Sequence, residues 1–183
     1  MPKLTDHQIK QHTIAWIKSF IIEYNICPFA KHTVKQETIV IDIAQPDNVE
    51  QALETMMSTI VRMDENADIE TVLLVFPDLF SNFDDYLDCV ALAEELLSMS
   101  GYDGVYQLAT FHPDYCFADV SATDVSNYTN RSPYPMLHIL RESSIEKAID
   151  YYGDTSQIPE NNISTMHKLG LDKVKALLKN IRS

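Results

Sequence analysis

Apolar residues in the first part of the chain recur every three to four positions. Ile9, Thr13, Trp16, Phe20 and Tyr24 share one helical face, widened by Ile14, Ile17 and Ile21, which predicts a helix over about 5–24. Thr38–Ala44 is a short β-branched run and predicts a strand. Pro46 suits the first turn of the next helix, where Val49, Leu53, Met56 and Ile60 hold the helical period. Thr71–Phe76 is almost continuously apolar, the pattern of a strand covered on both faces. Ser81-Asn-Phe-Asp84 reads as a capping box for a helix to about Met99, with Phe83, Leu87, Val90 and Leu97 inward and Cys89 beside them in the core.

Gly101 ends that helix, and Gly104 precedes a third strand, Val105–Phe111. Met136–Arg141 suits a fourth strand or the start of a helix, and we read it as a strand. Ser143-Ser-Ile-Glu146 predicts a second capping box, with a helix to Tyr152. Pro159 opens a helix that Gly170 closes as a left-handed cap, and Asp172–Ile181 forms a terminal helix. Helices between strands imply crossovers and parallel neighbours. The expected fold is α/β: a small, mainly parallel sheet of three or four strands flanked by helices, with a helical C-terminal part, in one domain over 1–183.

Composition narrows the function classes. The chain has 183 residues, 45% hydrophobic and 22% charged, an ordinary globular balance. Its net charge of −13 argues against a nucleic-acid binder, which must neutralise phosphates, and against an anionic membrane surface. No run approaches the ~20 apolar residues that span a bilayer, and the N-terminus has no signal-peptide pattern; a cytoplasmic location is expected. Three cysteines without a C-x-x-C pair exclude a disulfide framework and a zinc ribbon. With four glycines, no glycine-rich phosphate cradle is present. Charge is uneven: Met63 to Asn130 holds 14 acids and no Lys or Arg, whereas 168–182 holds five cations and one acid. The simplest reading of that tail is a solvated helix face.

Candidate chemistry concentrates in 112–142. His112-Pro-Asp-Tyr115 follows the third strand directly, where an open α/β sheet places ligands. His112, oriented by Asp114, suits a general acid/base, with Tyr115 beside it; the alternative is a turn in which Asp114 caps the backbone. Asn127, Asn130, Arg131 and Ser132 lie in a stretch stiffened by Pro133 and Pro135 and form an anion-binding set, with Arg131 as the planar fork. Arg131 would otherwise simply neutralise nearby acids. Arg141 joins the binding set if it shares a face with His138. His112, Asp114 and His138 also make a two-His-one-carboxylate set suited to a metal. Cys27 is a candidate nucleophile or haem ligand, or a buried hydrophobe.

Several stretches carry a resemblance: Asn25-Ile-Cys-Pro-Phe-Ala30, Phe76-Pro-Asp-Leu-Phe with Phe83-Asp-Asp-Tyr86, Phe111-His-Pro-Asp-Tyr115 with Phe117, and Asn127-Tyr-Thr-Asn-Arg-Ser-Pro-Tyr-Pro-Met-Leu-His138 with Leu140-Arg-Glu142. They resemble a family of small, mostly bacterial proteins known as a domain of unknown function, number fourteen-fifteen. The departure is Ala118-Asp119, where the resemblance implies a glycine. It implies membership and brings no activity or cofactor. Three functions therefore stand: an enzyme acting on a small anionic molecule through Cys27, His112, Asp114, Tyr115, Asn130, Arg131 and His138; a metal or haem protein using His112, Asp114 and His138, or Cys27; and a non-catalytic adaptor whose polar stretch is a structural network.

Overall fold

The computed structural model describes residues 3–182. The chain runs α1 (Asp6–Trp16), a π-helical turn (Ile17–Ile22), α2 (Ala30–Gln36), β1 (Ile39–Ile43), α3 (Val49–Glu65), β2 (Thr71–Val75), α4 (Phe83–Met99) and β3 (Tyr106–Phe111). A 3-10 turn (Val125–Thr129), β4 (Met136–Arg141), α5 (Glu142–Tyr152), α6 (Ile158–Leu169) and α7 (Leu171–Ile181) follow. The fold is α/β, as expected. None of the described helices is long and apolar enough to cross a membrane.

One sheet holds the strands in the order β1-β2-β4-β3. β1 and β2 pair in parallel, while β4 pairs antiparallel with both β2 and β3. The expectation of a mainly parallel sheet is thus corrected. Its premise holds in part, because the helical crossovers leave β1, β2 and β3 pointing the same way. They do not make β2 and β3 neighbours. The chain leaves β3 at Phe111 and returns at Met136, its register partner, so β3 and β4 form a hairpin with a wide connection, 112–135. β4 fills the gap between β2 and β3, and its direction follows from entering the sheet at the end where β3 leaves it.

Two apolar layers enclose the sheet. On one face Val72, Leu74, Leu137 and Ile139 pack against α3 and α4 through Met56, Ile60, Met63, Tyr86 and Ala93. On the other, Leu73, Val75, Ile41 and Met136 meet α1, the π turn, α6 and α7 through Ile9, Trp16, Phe20, Met166 and Val174. β2 is buried along its whole length, as its apolar run predicts, because both layers cover it. In α4, Val90 and Leu97 are buried as predicted, but Leu87 is 41% exposed and Tyr86 is buried instead.

Helix ends depart from the sequence reading in several places. Thr5 caps α1 with a full capping box, but the predicted single helix changes to a π turn after Trp16. α2 was unforeseen; it is short and buries no residue, so it carries no periodic signal. Pro46 lies ahead of α3, whose cap is Asn48, and Asn82 rather than Ser81 caps α4. Arg141, not Ser143, precedes α5, because β4 runs straight into the helix. Gly170 takes φ 78° and ψ 154°, which is not the left-handed helical cap but a sharp joint between α6 and α7.

Tyr86 closes the mouth of the wide hairpin. Its hydroxyl donates to the Met136 carbonyl at 2.8 Å and accepts from the Phe111 N–H at 3.2 Å. Tyr86→Phe removes both bonds and leaves two buried backbone groups unpaired. We expect a loss of about 1–3 kcal/mol, read as a lower urea midpoint at unchanged m-value.

Candidate functional site

The connection 112–135 is longer than most loops in a compact domain, and side chains hold it in place. His112 is 1% exposed. Its Nδ1 accepts from the Asp114 backbone N–H at 3.0 Å, so the ring proton sits on Nε2, which donates to the Phe80 carbonyl at 2.8 Å. Phe80 itself sits at φ 62°, a left-handed conformation rare for a bulky residue, and His112 pins it. The ring packs against Phe83 and Tyr86. Burial pushes its pKa down, which keeps the imidazole neutral. The His112 backbone pairs with the Asn130 carbonyl and the Ser132 N–H. His112 therefore fastens three segments together, and both ring nitrogens are occupied.

The residues read as an anion set serve the same loop. Asn127 is fully buried; its side chain accepts from the Phe117 N–H at 2.9 Å and donates to the Ser121 carbonyl at 2.8 Å. Asn130 donates to the Thr110 carbonyl at 3.1 Å. Arg131 donates Nε to the Tyr115 carbonyl and Nη2 to the Ala122 carbonyl, with its guanidinium 4.5 Å from the Tyr128 ring centroid. Ser132 Oγ donates to the Tyr134 carbonyl at 2.6 Å. These donors point into the protein's own backbone.

The remaining candidates are dispersed. The Asp114 side chain is exposed, and its contact with the His112 ring is through its backbone N–H. Tyr115 lies between Phe83 and Phe117. Arg141 donates Nη2 to the Met63 and Ile69 carbonyls and stacks over Tyr106, which clamps the end of α3. His138 Nε2 lies 2.5 Å from Thr71 Oγ1, and burial lowers its pKa to about 4. It faces the α1 layer, whereas His112 packs against α4, so the structure does not bring His112, Asp114 and His138 together. Among the described residues no three His, Cys, Asp or Glu side chains converge to hold a metal ion. Cys27 is half-buried before α2; burial pushes its thiol pKa up, against a pull downward from the Phe29 and Ala30 N–H groups.

The tertiary structure assembles a different concentration of charge. An open groove of about 510 Å³ runs between the 112–133 connection and α7. Pro113, Tyr128, Ser132 and Pro133 form one wall, and Lys175, Lys179, Arg182 and Leu178 form the other. Arg182 lies 5.2 Å over the Tyr134 ring. The Tyr134 hydroxyl meets His12 Nδ1 at 2.6 Å, so a residue of α1 supports the platform on which Arg182 rests. Burial and the Arg182 charge together lower the His12 pKa. Lys175, Lys179 and Arg182 fall at spacings of four and three, one face of a helix. That spacing and the uneven charge of 168–182 were the available signal, but nothing in the sequence places this face against Pro113 and Pro133.

A family model described as a protein of unknown function, DUF1415, matches residues 8–176. No curated protein and no solved structure matches.

His112→Ala removes two buried hydrogen bonds and a ring, and a loss of about 2–4 kcal/mol is expected in chemical denaturation. Stability should also depend on pH. His112 and His138 both titrate lower in the folded chain than the ordinary 6.5, His138 at about 4. Their stabilisation is complete above about pH 6.5 and is lost as pH falls toward the folded values, because the unfolded chain takes up protons that the native state refuses. His138→Gln should shrink the drop in melting temperature between about pH 7 and about pH 5.

Proposed function

As the chain belongs to the DUF1415 family, whose function is unknown, we propose its role from the geometry: it binds a small anionic molecule in the groove between α7 and the 112–133 connection. One observation carries this reading. A chain of net charge −13 lines a single groove with three cations, Lys175, Lys179 and Arg182, and with no acid. In an acidic protein such a site raises the local concentration of anions that the rest of the surface repels. Arg182 offers a planar fork resting on the Tyr134 ring, whose hydroxyl bonds His12, and the two lysines are flexible point charges. A small carboxylate or phosphate suits this combination better than an extended polyanion, which the surrounding acids would oppose.

The enzyme reading through His112, Asp114 and Arg131 has less support. His112 has no free ring nitrogen to move a proton, and Arg131 donates to carbonyls. A structural network describes 112–132 better, and the two readings join if that network is the rigid wall of the groove.

Isothermal titration with pyrophosphate and citrate at low salt tests the proposal. Binding should be saturable, and Lys175→Ala/Lys179→Ala should weaken it about tenfold or more, roughly 1.4 kcal/mol. Arg131→Ala should lower the melting temperature while leaving the affinity of the folded protein in place. Absence of binding, or equal affinity in the lysine variant, would overturn it.

A further inference from the structure

The groove between α7 and the 112–133 connection is apolar in its depth and cationic at its edge. Lys175, Leu178, Lys179 and Arg182 line it from α7, at positions i, i+3, i+4 and i+7 of one helical face. The three cations are exposed, whereas Leu178 is half-buried among them and packs on the apolar layer beneath. Across the groove, Pro113 is half-buried and Pro133 buried. The charges therefore sit where water reaches them, and carbon lines the floor.

Size and lining together select the kind of anion. The groove holds about 510 Å³, in the range of sites that take organic molecules. A bare inorganic anion would meet the cations and leave the floor facing water. The floor offers a ligand few polar partners. Neither proline carries an N–H, and Ser132 Oγ already donates to the Tyr134 carbonyl at 2.6 Å. Tyr128 is buried, with the Arg131 guanidinium over its ring. A hydroxyl-rich body such as a sugar would lose its water there without replacement bonds, whereas an apolar body gains by leaving water. Three cations and no acid line the groove among the described residues. That balance favours a head with more than one negative charge, and a phosphate monoester carries about 1.5–2 at neutral pH.

Resting on the anion reading of this groove, we propose that its ligand is an organic phosphate monoester with a compact apolar body. The phosphate is held by Lys175, Lys179 and Arg182, and the body sits on Leu178 between Pro113 and Pro133. Arg182 suits a bidentate grip on phosphate oxygens, and the lysines add point charge. The proline wall has no rotamers to lose on binding, so the apolar contact is made at low entropic cost.

Isothermal titration of the full chain with phenyl phosphate, inorganic phosphate, ribose 5-phosphate and benzoate at low salt separates these features. Phenyl phosphate should bind about tenfold or more tighter than inorganic phosphate, with a negative heat-capacity change that marks apolar burial. Ribose 5-phosphate should gain nothing over inorganic phosphate, and benzoate, with the same ring and one charge, should bind more weakly than phenyl phosphate. Leu178→Ala should narrow the advantage of the phenyl group; should that variant not fold, the heat-capacity change of the unaltered protein decides. Lys175→Ala/Lys179→Ala should weaken phenyl phosphate, which places it in the groove. Phenyl phosphate no tighter than inorganic phosphate, or matched by ribose 5-phosphate or benzoate, would overturn the inference, as would affinity undiminished in the lysine variant. Pyrophosphate binding without a gain from the phenyl group would sink the apolar body and leave the anion groove standing. Binding of none of these anions, pyrophosphate included, would remove both.

Discussion

A neutral imidazole at residue 112 is the constraint on which the rest of the structure depends. A connection as long as 112–135 must be ordered against a large conformational entropy. Backbone pairing alone cannot do this, because the segment belongs to no sheet. His112 accepts one N–H within its own turn and donates to the carbonyl of Phe80 before α4, so the loop and the α4 entrance become one unit. Its own backbone then pairs with 130 and 132. Protonation would set Nδ1–H against the Asp114 N–H, so burial and hydrogen bonding act in the same direction.

That fixed connection delivers two further features. It returns the chain to the correct end of the gap between β2 and β3, where β4 completes the sheet, with Tyr86 bonded to both strands at the junction. It also holds Pro113, Ser132 and Pro133 as a stiff wall opposite α7. A cationic face on α7 alone would be a solvated helix surface. Against that wall, and with Arg182 resting on Tyr134, it becomes a groove. Helix α1 braces this arrangement from one face: His12 bonds Tyr134, and Trp16, one turn later, packs its ring edge-on against Phe111.

Hydrogen-bond economy explains why polar density misled the functional reading of 112–142. Asn127, Asn130, Arg131 and Ser132 are residue types that hold anions, and the same groups hold carbonyls. In a buried loop unpaired backbone groups are costly, and these side chains satisfy them. Composition cannot separate the two uses, since the chemistry of donor and acceptor is identical and only the partner differs.

Local periodicity and β-branched runs by themselves determined the long helices, the first three strands and the doubly covered β2, because those signals arise from which face each residue buries. Met136–Arg141 by its pattern suits a strand or a helix start, and its place between β2 and β3 decides for the strand. The burial of Trp16, Phe20 and Val174 follows from the same pattern, and the quoted motifs carried the family. Short α2, the π turn and the exact caps escaped, as each involves few residues and little burial. Only the tertiary structure decided that β4 lies antiparallel between β2 and β3, because strand order depends on where a loop re-enters the sheet and no local spacing encodes that. The same holds for the partners of His112 and His138 and for the meeting of His12 with Tyr134, 122 positions apart: such contacts depend on distance in space, which a linear pattern does not contain.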